Sequence, residues 1–168
     1  MARRAASAVV VDLSRRGLLR PGVKPPSAAR GPGALRVLCD AGALDGGLSV
    51  ALDVRPDEAF GALCSAVGGQ ASKLKVLDVR EQPAALLVRF DQTEESWDVP
   101  TLAALVHNLN DLLRSDPEAR AIAVLGEWND ALQLWCLPKK VLADSWGAPY
   151  FDPLNADDLR SLSRDPEG

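Results

Sequence analysis

Apolar and polar residues along this chain form short strand-like runs separated by stretches with helical spacing. The clearest helical stretch covers residues 98–115. Leu102, Leu105, Val106, Leu109, Leu112 and Leu113 recur there at the i, i+3, i+4, i+7 positions of one helix face. His107, Asn108, Asn110, Asp111 and Arg114 fall on the other face, which is read as the wet one. Asp98 is the expected N-cap, Pro100 suits the first turn, and Pro117 disfavours helix beyond the end. A helix of this length is marginal alone, so its leucine face requires an apolar surface to lie on.

The flanking runs supply that surface. Residues 35–40 and 48–54 read as strands joined by the turn signal Asp45-Gly46-Gly47. A second helix opens at Pro56-Asp57-Glu58, carries Phe60, Leu63, Cys64 and Val67 on one stripe, and stops at Gly68-Gly69. Residues 73–80 and 85–90 read as a strand pair, and the polar residues 91–97 as an acidic loop. The clearest hairpin joins residues 120–128 and 131–137 through Asn129-Asp130. Alternation puts Leu132, Leu134 and Cys136 on one face, towards the helices, and Trp135 with Gln133 and Leu137 on the other. A buried-type residue such as Trp135 then needs a cover, either residues 146–151 or another chain.

The fold class expected is α+β, a mostly antiparallel sheet with two main helices in ββαββαββ order. Within that order lies the βαββαβ pattern of ferredoxin-like folds. The pattern is topological and carries no activity with it. Three parts follow: a basic Pro/Gly-rich arm (1–33), an α+β core domain (34–138), and an aromatic C-terminal extension with short helices (139–168).

Charge changes the picture at the N-terminus. Residues 1–30 hold seven basic side chains and one acidic, whereas the remainder of the 168 residues holds twelve basic and twenty-two acidic. An acidic body repels nucleic acid, so polyanion contact would have to pass through the arm. The Arg-rich, acid-poor start also has the composition of an organellar transit peptide, although a flexible basic tail, or an arm that orders against a partner or another subunit, is the preferred reading. No run reaches the length of a membrane span. The abundance of Ala, Arg and Gly fits a GC-rich bacterial genome.

Catalytic residue types are scarce. The three cysteines are far apart, there is one histidine, and zinc-ligand spacing is absent, so no metal and no cofactor are expected. Thiols in this pattern read as buried and reduced, in the cytoplasm. The turn at Asp45-Gly46-Gly47 lacks the ending of a phosphate loop. The acidic group Asp91, Glu94, Glu95 and Asp98 lacks the spacing of a calcium loop. His107 and Asp111, four apart on the wet helix face, are the catalytic candidates, with Cys64 as a nominal nucleophile.

The expected function is therefore non-catalytic: a protein-protein interaction, assembly or regulatory protein, or a subunit of an oligomer. Its partner-binding candidates are Arg3, Arg4, Arg15, Arg16 and Arg20 in the arm, and Trp128, Trp135, Trp146, Tyr150 and Phe151 in the aromatic third. The alternatives are a small enzyme using His107 with Asp111 or a cysteine, and nucleic-acid binding through the arm.

Overall fold

The computed structural model describes residues 2–24 and 33–141, with side chains from Val9 onward. In chain order the elements are α1 (Ala2–Arg15), α2 (Ala34–Asp40), β1 (Gly47–Ala51), α3 (Pro56–Val67), β2 (Lys75–Glu81), β3 (Ala84–Phe90), β4 (Thr93–Asp98), α4 (Leu102–Leu112), β5 (Ala121–Trp128) and β6 (Ala131–Leu137). The strands form two antiparallel three-stranded sheets, ordered β1-β6-β5 and β2-β3-β4. The class is mixed α+β with antiparallel sheets, as the residue pattern suggests.

The ferredoxin-like arrangement within that class is not formed, because the strands divide between two sheets. Two local readings differ as well. Residues 35–40 fold as α2 instead of a strand: Leu35, Leu38 and Cys39 are all buried, at the i, i+3, i+4 spacing of one helix face. Residues 91–97 are not a loop but the turn and edge strand β4, of which only Trp97 is buried. Asp91 takes a positive φ of 55° there, which Asp tolerates better than most residues, and this tightens the turn from β3.

Helices α3 and α4 touch both sheets. One core joins Phe60, Leu63, Leu105 and Leu109 of these helices to Leu86, Val88 and Trp97 of one sheet and Ile122, Leu132 and Leu134 of the other. The helix ends follow local chemistry. Pro56 opens α3 with Asp57 and Glu58 in its first turn, where the helix dipole favours acid. Thr101, rather than Asp98, caps α4: its Oγ1 accepts the Ala104 N–H at 3.1 Å, while Asp98 belongs to β4.

A second core occupies the opposite face of β1-β6-β5. Trp135 and Leu137 meet Leu13 of α1, Leu35 and Leu38 of α2, and Leu44. Residues 2–24, read from the sequence as part of a basic arm, thus contribute a packed helix whose Leu13 has no solvent exposure. The segment after α1 is pinned as well, Asp45 N–H donating to Leu18 O at 2.8 Å and Arg20 N–H to Ala43 O at 2.7 Å. Alternation in β6 holds as read: Leu132, Leu134 and Cys136 face the α3/α4 core, and Trp135 faces the second core. Its indole N–H donates to the Asp45 carbonyl at 2.8 Å. The expected cover from residues 146–151 lies outside the described residues.

The Asp45-Gly46-Gly47 turn has a steric reason. Gly46 has φ 81°, and its carbonyl accepts the Cys136 N–H at 2.9 Å. A Cβ at Gly46 would collide with the Cys136 carbonyl, so only glycine fits this close approach.

Candidate functional site

A cleft of about 230 Å³ opens where the ends of the two sheets separate. Three chain segments build it: residues 52–56 leaving β1, the β2–β3 turn at Glu81 and Ala84, and residues 99–105 leading into α4. Its walls are polar and apolar in about equal measure: Leu52, Val54, Pro56, Val99, Leu102 and Leu105 give the apolar side chains, and Asp53 and Glu81 the acidic ones. Backbone hydrogen bonds anchor its lining segments. Val99 N–H donates to Ala84 O at 3.0 Å, and Leu52 N–H to Asp130 O at 3.2 Å.

Charge at the rim is uneven. Arg55 bonds Asp57 at 3.1 Å and reaches Glu81 at 3.5 Å, both on the surface. The hydrogen bond from Arg55 holds the Asp57 carboxyl below its ordinary pKa. Asp53 is exposed, and no ion pair engages it among the described residues. The cleft is smaller than the roughly 300–1,000 Å³ typical of small-molecule pockets. It is dimensioned for one or two side chains.

The structure distributes the residues singled out from sequence rather than gathering them. His107 and Asp111 are both exposed on α4, and Asp111 lies 3.7 Å from Arg114. Asn110, read with them on the wet face, is instead 6% exposed. Its amide donates to Ile122 O at 3.0 Å and accepts the Ile122 N–H at 2.9 Å, standing in for a neighbouring strand on the open edge of β5. Burial pushes the thiols of Cys39 and Cys136 up to about 11 and that of Cys64 up to about 12. At neutral pH all three are therefore protonated and poorly nucleophilic.

Arg15, Arg16 and Arg20 are exposed, with Arg16 bonded to Asp12 at 3.1 Å. Trp128 is 44% exposed at the end of β5, whereas Trp135 is fully buried. The side chains of Arg3 and Arg4, and residues Trp146, Tyr150 and Phe151, lie outside the described residues. Among the described residues no group of three or more His, Cys, Asp and Glu side chains is placed to hold a metal ion. No described helix is long and apolar enough to cross a membrane.

The cleft residues were missed in the sequence because they come from three separated segments. Only Leu52, an apolar residue next to an acid at a strand end, carries any local signal. Compared with known proteins, the chain matches no family model, no curated protein and no solved structure.

Proposed function

We propose that this chain is a non-catalytic protein-binding module of the bacterial cytoplasm. The observation that carries this reading is the large apolar side chains left in water at one end of the first sheet. Leu52 and Trp128 are each 44% exposed there. Cross-strand pairing puts them at the same level: Trp128 pairs with Ala131, and Ala131 pairs with Ala51, the neighbour of Leu52. Exposed leucine and aromatic side chains are anchors that protein interfaces use, Leu52 at the cleft and Trp128 outside it on the other face of the sheet. Three free thiols, Cys39 and Cys136 buried and Cys64 partly so, suit a reducing compartment. The acidic composition of the body supports a protein partner over a nucleic acid.

Purification of the tagged full chain from its native host tests this. The expected result is a stoichiometric protein partner whose retention falls when Leu52→Asp and Trp128→Ser are introduced together. A chain that purifies alone, with a cellular activity abolished by His107→Ala, would overturn the reading in favour of an enzyme.

A further inference from the structure

The two sheets present four edges, and three of them are guarded. On β2 the ladder is broken by a register shift between Val76 and Asp78, and Lys75, Asp78, Arg80 and Glu81 line the strand. On β4, Glu94, Glu95 and Asp98 place charge along the edge. On β5 the Asn110 side chain occupies the Ile122 backbone, and a further shift falls between Val124 and Gly126. Charges, bulges and covers of this kind are how native sheets prevent further pairing.

Among the described residues the edge of β1 has none of them. Its sequence Gly-Leu-Ser-Val-Ala contains no charge and no proline, and its pairing with β6 runs without a break. The direction of its free backbone groups follows from the ladder. Cys136 N–H bonds Gly46 O and Leu52 N–H bonds Asp130 O, so the even-numbered residues face β6. In an antiparallel pair the alternate residues, Gly47, Ser49 and Ala51, then point their N–H and C=O outward. The Gly47 N–H is taken by Leu44 O and the Ala51 carbonyl by Val54 N–H. Among the described residues the Gly47 C=O, the Ser49 N–H and C=O and the Ala51 N–H remain, Ser49 and Ala51 being exposed. The open edge runs directly into the cleft, whose first wall residues are Leu52, Asp53 and Val54.

Resting on the protein-binding reading above, we infer that β1 is a docking strand that accepts an extended segment of a partner protein. The segment pairs antiparallel with β1, inserts an apolar side chain into the cleft beside Leu52, and places a Lys or Arg next to Asp53. Backbone bonds supply affinity in such strand addition, and the side-chain pocket supplies selectivity. Basic character follows from the rim, where Asp53 and Glu81 are the acids and Arg55 is shared with Asp57. A second copy of this chain is the less favoured occupant. A five-residue edge alone falls short of the area, roughly 1,200–2,000 Å², that stable pairs bury.

The probe is a fluorescein-labelled, amidated peptide Arg-Leu-Val-Thr-Val-Thr, titrated into the full chain labelled with ¹⁵N. Amide shifts centred on Ser49, Ala51 and Asp53 are expected, with affinity that falls as salt is added. Ser49→Pro removes an outward N–H without touching the β6 ladder and should weaken binding about tenfold, the worth of one well-made hydrogen bond. Asp53→Lys, an exposed change, should abolish the salt dependence and keeps the test decisive if Ser49→Pro does not fold. Shifts centred on Trp128, no shift at millimolar peptide, or equal binding by both variants would overturn the inference. Self-association of the chain that Ser49→Pro abolishes would also overturn it, by giving the edge to a second copy. A host partner retained by both variants would overturn the docking strand while leaving the protein-binding reading intact.

Discussion

The two sheets of this protein bury their strands to very different degrees, and the contrast explains which residues matter most. Every residue of β6 is buried, because α3 and α4 cover one face of its sheet and α1 and α2 the other. In β2 none of the seven residues is buried, and in β4 only Trp97 is. Among the described residues that sheet has one covered face, with Leu86, Val88 and Trp97 turned to α3 and α4. Its other face presents Lys75, Arg89 and Glu94 side by side across the strands. A doubly covered strand reads as an unbroken apolar run, and a singly covered sheet carries charge on its open side.

Substitutions should follow that contrast. The largest effect is expected at the centre of the doubly covered sheet, where Trp135→Ala should cost about 3–5 kcal/mol in denaturant unfolding. Asn110→Ala comes next. It removes both hydrogen bonds that the side chain makes to the buried Ile122 backbone, and about 1–3 kcal/mol is expected for such a loss. A stability unchanged by Asn110→Ala would mean that water can reach the β5 edge.

A smaller, pH-dependent effect belongs to Asp116, at the junction of α4 and the residues after α3. Its carboxylate accepts the Gln70 N–H at 2.8 Å and the Glu118 N–H at 3.0 Å. These bonds, the one from Gln70 foremost, hold its pKa below the ordinary 3.8. A lowered folded-state pKa gives stability that is complete above the unfolded value and fades as the pH drops through the folded one. The melting temperatures of the parent chain and Asp116→Asn should therefore differ at neutral pH and converge in acid below about pH 4, where the unfolded carboxyl protonates. A gap that stays constant across that window would assign the effect to packing. The smallest effect is expected on the open face of the second sheet. Arg89 and Glu94 pair there at 2.8 Å with both side chains nearly half exposed, and Arg89→Ala should change stability by less than about 0.5 kcal/mol.

What could be read from the sequence also divides along physical lines. α3, α4, the β2–β3 pair and the β5–β6 hairpin have enough length or turn chemistry to declare their period. The faces of β6 were legible because strict alternation leaves Trp135 no choice of side. α2 was not legible, since seven residues with an apolar majority satisfy a strand as well as a helix. β4 was hidden by its charge, which belongs to an edge and resembles a loop. Asn110 looked solvated because its partner is the backbone of a strand twelve residues further on. The cleft had no signature beyond Leu52, being assembled from segments that meet only after folding.

The central claim is that α1 and the residues following it are part of the fold, completing the cover over Trp135. It is tested most directly in a chain whose sole tryptophan is Trp135, made by Trp97→Phe, Trp128→Phe and Trp146→Phe, with and without residues 1–24. Deletion should shift the emission of Trp135 to the red and lower the melting temperature, because Leu13 and Leu18 leave the second core. Unchanged emission and an unchanged melting temperature would contradict the claim and make the N-terminal helix an independent appendage.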